Sequence, residues 1–135
     1  MNKKRSMDSS RIVQHYMDAY NRRDVDDFLS YMHPDFESLL FDERRTLCTG
    51  LEDARTLYSN RFKENPDLLV TTLGRIANDN IVVDNQLIEN FDGGKTIRAI
   101  SIFELEDGLV RRASFARREV SLLEEEISKN GNRKV

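Results

Sequence analysis

Hydrophobic positions recur with a helical period in the first half of the chain and with a strand period in the second. Ile12, Val13, Tyr16, Met17 and Tyr20 follow one another at helical spacings, which places them on one helix face. Ser9 or Ser10 is positioned to cap this helix, whose pattern begins near Arg11. Asn21-Arg22-Arg23 interrupts the period. Asp24 then reads as the N-cap of a second, short helix with Asp27 at its third position, where a carboxylate suits the helix dipole. Phe28, Leu29 and Met32 form its apolar side, and Pro34 ends it, because the residue before a proline avoids helical angles. Phe36–Phe41 reads as a short strand. Thr49-Gly50-Leu51-Glu52 has the form of a capping box, with Thr49 as cap and Glu52 reaching back, and it opens a third helix. Leu51, Ala54, Tyr58 and Phe62 share a face of that helix, and Asn65-Pro66 stops it.

From Leu68 onward the alternation is that of strands. Leu68–Ala77, Ile81–Phe91, Thr96–Leu105 and Leu109–Arg117 are separated by the turn-rich segments Asn78-Asp79-Asn80, Asp92-Gly93-Gly94 and Asp107-Gly108. Three helices followed by a four-stranded antiparallel meander predict the α+β class rather than a parallel α/β sheet. The expected organisation is a flexible terminus over residues 1–10, one domain over 11–119, and a polar tail over 120–135 that starts as a charged helix and frays after Asn130.

Composition narrows the function classes. A chain of 135 residues holds one domain, and 39% hydrophobic with 33% charged residues is a soluble globular balance. The net charge of −3 gives no reason to expect a nucleic acid partner. Strand alternation sends the members of Arg111-Arg112 and of Arg117-Arg118 to opposite faces, and the Glu124-Glu125-Glu126 run argues further against such a partner. Cys48 is the sole cysteine, so no intrachain disulfide forms, and no Cys/His ligand cluster is present. No metal or cofactor is expected. The basic start MNKKRSMDSS is not followed by an apolar stretch, and no apolar run approaches the ~20 residues needed to span a bilayer. A cytoplasmic protein without membrane contact is the expectation.

Turn lengths imply a strand register. A two-residue Gly93-Gly94 loop sets Glu89 opposite Arg98, Leu87 opposite Ile100 and Asn85 opposite Ile102. A two-residue Asp107-Gly108 loop sets Ile102 opposite Ala113, Ile100 opposite Phe115 and Arg98 opposite Arg117. One face then carries Leu87, Ile100, Ile102, Ala113 and Phe115, with Glu89, Arg98 and Arg117 toward one end, and is expected to face the helices and a pocket. The other carries Gln86, Ile88, Ala99, Ser101, Ser114 and Ala116, a flat set suited to packing against a second copy. A one-residue bulge would exchange the two sets.

The stretch VQHYMDAYNRRDVDDFLSYMHPDFES, the helix opening Gly50-Leu51-Glu52-Asp53-Ala54 and the last strand pair closing on Glu106-Asp107-Gly108 resemble the nuclear transport factor 2-like superfamily. Within it they resemble the SnoaL-like and ketosteroid isomerase-like proteins, over roughly residues 11–118. The resemblance implies a cone-shaped half-barrel, a curved and mostly antiparallel sheet wrapped around three N-terminal helices, with a pocket inside and a homodimer through the outer sheet face. Ketosteroid isomerases use a tyrosine on the first helix, a carboxylate base on an early strand and an acid on a late strand. Those roles carry over to Tyr16, Leu40 and Ile100, so the tyrosine is present and neither acid is.

The functional expectation is a small-molecule binder for a hydrophobic, oxygenated or anionic ligand, with isomerase, lyase or cyclase chemistry as its enzymatic form. Tyr16 is the candidate hydrogen-bond donor. Tyr20, Leu40, Leu87, Glu89, Arg98, Ile100, Ile102, Phe115 and Arg117 are the candidate ligand-binding set. Arg98 and Arg117 would hold an anionic head, since a guanidinium fork binds carboxylate or phosphate through two bonds. The competing reading makes Glu89–Arg98 an ordinary cross-strand ion pair and Arg117 a solvated rim residue. His33 is either a general base or a cation suited to a helix end, and Cys48 either an activated or an inert thiol. The alternative for the whole chain is a non-catalytic dimeric or protein-interaction module with a vestigial cavity. A cavity filled by Leu87, Ile100, Ile102 and Phe115 would favour that alternative; an open one with Tyr16 and Arg98 pointing inward would favour the ligand.

Overall fold

The computed structural model describes residues 8–120. The tail expected over 120–135 and the first residues of the expected flexible terminus therefore lie outside the described residues, except for Asp8 to Ser10 and Val120. Helix α1 spans Ser9–Arg22, α2 Val25–Ser30 and α3 Leu51–Glu64. Strands β1 (Met32–Leu40), β2 (Arg45–Thr49), β3 (Leu69–Asn78), β4 (Ile81–Phe91), β5 (Lys95–Glu106) and β6 (Leu109–Val120) form one sheet in the order β2-β1-β6-β5-β4-β3. The sheet is curved and unclosed, and all its neighbours are antiparallel except β1 and β6. Among the described residues, no helix is long and apolar enough to cross a membrane.

Local chemistry explains most boundaries. The cap of α1 is Asp8 rather than Ser9 or Ser10: its carboxylate accepts the Arg11 N–H at 2.8 Å. Asp24 caps α2 as expected, accepting the Asp27 N–H at 3.1 Å. Helix α3 departs from the expected box. Gly50, at φ 86°, is the cap, and Asp53 rather than Glu52 reaches back, accepting the Thr49 N–H at 2.9 Å. Strand β1 begins at Met32, four residues before the expected Phe36, and contains Pro34. Proline is tolerated there because the β1–β6 ladder has no pairs between Met32 and Glu37. Strand β2 was not expected; only Leu47 and Cys48 interrupt its polar character, too weak a pattern to read as a strand.

An aromatic cluster joins the helices to the concave sheet face. Phe28 of α2 touches Tyr16 of α1 at 4.4 Å between centroids and Tyr58 of α3 at 4.9 Å. Tyr16 in turn meets Phe103 of β5 edge-on at 5.6 Å. Each such pair contributes ~0.5–1.5 kcal/mol beyond its buried area. A polar strap secures the other end. Arg75 of β3 binds the fully buried Asp84 of β4 through two bonds, at 2.6 and 2.9 Å, and also donates to the Ser10 carbonyl and the Gln14 side chain.

The sheet register corrects the sequence reading. The two-residue turn at Asp107-Gly108 is as expected, with Glu106 opposite Leu109. Arg111 is then an extra residue in β6, and beyond it the pairs are Phe103–Ala113, Ser101–Phe115, Ala99–Arg117 and Arg98–Arg118. Between β4 and β5 the turn has three residues, Asp92-Gly93-Gly94, and an extra β4 residue follows Ile88, so Leu87 lies opposite Arg98 and Asn85 opposite Ile100. The shift between β4 and β5 is two residues and preserves faces; the shift between β5 and β6 is one residue and exchanges them. Gln86, Ile88, Ala99, Ser101 and Phe103 consequently share the concave face with Ala113, Phe115 and Arg117, while Leu87, Arg98, Ile100 and Ile102 lie on the convex face.

The Arg75–Asp84 strap gives a direct stability test. Arg75→Met leaves a carboxylate buried without its cation and is expected to cost about 3 kcal/mol in urea unfolding. The double variant Arg75→Met/Asp84→Leu should recover most of that loss. A single variant within experimental error of the unaltered protein would show that Asp84 is solvated or neutral instead.

Candidate functional site

The concave face and the helices border a small, partly open void of about 30 Å³, room for one or two waters. Helix α1 supplies Tyr16 and Tyr20, α3 supplies Tyr58 and Arg61, β4 supplies Gln86 and Phe91, and β6 supplies Phe115 and Arg117. Tyr16, Tyr20, Phe115 and Arg117 thus line the void as the sequence suggested. Leu40 is buried in β1 but does not line it. Leu87, Glu89, Arg98, Ile100 and Ile102 do not line it either, because the register puts them on the convex side; Ile100 is 43% exposed. Arg98 and Ile100 instead border a shallow convex hollow together with Arg118. The condition of Tyr16 and Arg98 both pointing inward is met only by Tyr16. The void is nearly filled, though by the aromatic cluster rather than by Leu87, Ile100 and Ile102.

Most of the lining lies outside the candidate set, and Tyr58, Arg61 and Phe91 are the members that matter chemically. Tyr58 was read only as a core position, and Arg61 follows it by three residues on α3, at the margin of the same apolar face. That spacing was the available signal. The Arg61 guanidinium lies between two rings, with Cζ 5.0 Å from the Tyr58 centroid and 5.4 Å from that of Phe91. Arg117 approaches the same Phe91 ring, at 5.6 Å. Arg61 Nη1 also donates to the Tyr20 hydroxyl at 3.5 Å. Among the described residues, neither Arg61 nor Arg117 forms an ion pair with a carboxylate. Burial and the nearby Arg61 charge push the Arg117 pKa below its ordinary value. Burial opposes the charge of Arg61 as well, but the Tyr20 and Tyr58 oxygens more than offset it and its pKa lies above the ordinary value.

The Tyr58 hydroxyl is buried and, among the described residues, has no hydrogen-bond partner within 3.5 Å, although the Ser38 hydroxyl is near enough to lower its pKa. The nearby Ser38 hydroxyl is engaged with Cys48 Sγ at 3.1 Å. Burial raises Tyr58 to about 12, with Arg61 pulling the other way, and raises Tyr16 well above the usual tyrosine value. Both are neutral donors at physiological pH. Gln86 is already bonded, its Oε1 accepting the Ser101 hydroxyl at 2.7 Å. The lining therefore offers hydroxyl and guanidinium donors, and no carboxylate or imidazole lies among the described lining residues. Such a set can hold an oxyanion or a carboxylate.

The other candidates lie elsewhere. Cys48 is buried and its thiol is pushed up by burial, which fits the inert reading. His33 is not at a helix end: it belongs to β1, where Nδ1 accepts the Asp35 N–H at 3.0 Å and Nε2 faces Glu106 at 3.0 Å. His33, Glu106 and Asp107 have donor atoms close enough to share a cation, but the His33 Nε2 proton already points at Glu106.

An unbonded buried hydroxyl costs about 1–3 kcal/mol, so Tyr58→Phe is expected to stabilise the ligand-free protein by about 1 kcal/mol in urea unfolding. A loss of that size would mean that the hydroxyl is bonded. Because the folded pKa lies above the unfolded value of 10, Tyr58 leaves stability independent of pH below pH 10 and lowers it as pH rises from there through about 12. Tyrosinate absorbance should therefore show an ionisation step near that pH that Tyr58→Phe removes.

A sequence comparison with curated proteins finds no match. Solved structures share the fold. A cystatin-fold protein from Novosphingobium aromaticivorans superposes with a TM-score of 0.76 at 18% identity, covering 82% of this chain and 99% of its own. A ketosteroid isomerase-like protein from Kribbella flavida gives 0.68 at 21% identity, with 82% and 77% covered. A protein from Jannaschia sp. named as a SnoaL-like polyketide cyclase gives 0.68 at 19% identity, with 88% and 89% covered. At these identities the likeness is one of fold. Residues 13–113 match the SnoaL-like domain family, and the chain belongs to that family.

Proposed function

We propose that this SnoaL-like protein binds a small molecule with an apolar body and an anionic or oxygen-rich head. The supporting observation is one void bordered by two guanidinium groups that have no carboxylate partner among the described residues and by the buried Tyr58 hydroxyl, which has no partner within 3.5 Å among them. The aromatic wall of Tyr16, Phe28, Phe103 and Phe115 suits the apolar body, and Arg61, Arg117 and Tyr58 suit the head. Arg61 takes the place expected for Arg98, and Glu89, the expected counter-charge, is on the far side of the sheet. The donors favour an oxyanion, while the positions aligned with the ketosteroid isomerase base and acid are Leu40 and Ile100. Binding is therefore the primary activity, and any isomerase, lyase or cyclase chemistry would proceed through oxyanion stabilisation. The lone buried thiol fits the reducing cytoplasm expected from the sequence.

Anilinonaphthalenesulfonate and its uncharged parent phenylnaphthylamine separate the head from the body, and both report binding by fluorescence. Arg61→Met/Arg117→Met is expected to weaken the sulfonate by about tenfold or more, as for loss of two charge-assisted contacts, and to leave the uncharged compound nearly unaffected. Equal affinity of the double variant and the unaltered protein for the sulfonate would sink the reading.

The convex face favours a second activity, self-association. Ile76 is 73% exposed, and it heads a cross-strand row with Val83 and Ile102, beside the exposed Ile100. The small volume of the void gives the dimeric-module alternative its weight. Light scattering should report a dimer that Ile76→Lys/Ile102→Lys converts to a folded monomer; a monomeric unaltered protein would remove the idea.

A further inference from the structure

A void of about 30 Å³ is far smaller than any ligand with an aromatic body, so the pocket has to open before it can fill. Immediately outside it lies a surface cleft of about 510 Å³, lined in part by Leu57, Asn60 and Asn65. Arg61 and Phe91 border both spaces and form the partition between them. Phe91 is half-buried at the point where the β4–β5 ladder is broken, the pairing passing from Ile88–Ile97 to Phe91–Lys95 with one extra residue. The backbone on either side is anchored. Asn90 Nδ2 donates to the Asp67 carbonyl at 2.9 Å, and the Asp92 N–H donates to Asn65 Oδ1 at 2.7 Å. The ring itself is held by the guanidinium groups of Arg61 and Arg117 over its π-system.

We propose that Phe91 is the gate of this pocket and that the anionic head of the ligand opens it. The proposal rests on the binding reading above. A ring contact is a weak substitute for a charge-assisted double hydrogen bond, so an anion arriving through the cleft draws both arginines away from the ring. The freed ring rotates about its side-chain bonds while the anchored backbone stays in place, and the void and the cleft become one pocket. The ligand class is correspondingly an anion with an aromatic or similarly bulky apolar body. An uncharged molecule of the same shape has no means of displacing the arginines and enters only when the ring opens by itself.

Stopped-flow fluorescence with the same two compounds tests this. In the unaltered protein the observed rate for anilinonaphthalenesulfonate should level off with concentration, reporting the opening step, and phenylnaphthylamine should associate more slowly. Phe91→Ala should remove the plateau, speed association and dissociation by about tenfold, and abolish the difference between the compounds. Phe91→Leu, which keeps the apolar bulk needed for folding but has no π face, should behave like Phe91→Ala, and Phe91→Tyr like the unaltered protein. Binding by all of these proteins with identical rates overturns the gate and leaves the binding reading standing. Absence of sulfonate binding by both the unaltered protein and the Phe91 variants overturns the binding reading and the gate with it. Binding by the Phe91→Ala and Phe91→Leu proteins alone supports the gate in its tightest form.

Discussion

One extra residue in β6 governs the interior of this protein. Arg111 has no counterpart in β5, and its guanidinium donates to the Asp35 carbonyl at 2.7 Å, which ties the irregularity to β1. Side chains alternate along a strand, so a one-residue offset exchanges every later position between faces. Beyond the bulge, Ala113, Phe115 and Arg117 share the concave face with Phe103, Ser101 and Ala99. The pair of small Ala99 with long Arg117 brings a guanidinium to the margin of an aromatic interior, and the Phe91 ring is there to meet it.

The interior is organised around aromatic surface. Phe28 links α1 to α3, Phe103 links α1 to the sheet, and Tyr58 and Phe91 flank Arg61. The same rings serve two purposes: edge-on contacts close the core, and exposed π faces receive guanidinium groups. Where the protein needs charge only for structure, it pairs it. Arg75 has Asp84, and Arg112 has Glu37 and Glu104. Arg61 and Arg117 are treated differently, as is the Tyr58 hydroxyl. Among the described residues these locally unfavourable choices gather at one void, which is the observation behind the proposed ligand site.

The void differs in its chemistry-bearing residues from what the resemblance to ketosteroid isomerases implied. Tyr16 is present in the pocket, but Leu40 and Ile100 stand at the aligned acid and base positions, and Ile100 is on the convex face. What the concave face retains are donors. The polar end of the pocket lies where α3 meets the β4–β5 turn, so the proposed head-binding residues Arg61 and Arg117 sit beside the proposed gate, Phe91.

Much of this was legible in the chain itself. The apolar period of Ile12 to Tyr20, the Asp24 cap, the stop at Asn65-Pro66 and the Asp107-Gly108 turn all follow from interactions within a few residues, and they suffice for three helices and a meander. The SnoaL-like family was legible from the same rhythm, as was the presence of Tyr16, Tyr20, Phe115 and Arg117 around the void. The tertiary structure alone decided the rest. Bulges at Arg111 and after Ile88 have no local signature, because an extra residue is defined only against the strand it faces. The Arg111 bulge set Leu87, Arg98, Ile100 and Ile102 on the face opposite Phe115 and Arg117, and the folding of α3 over β4 brought Arg61 to Phe91, a pairing of residues 30 positions apart that no period or turn along the chain encodes.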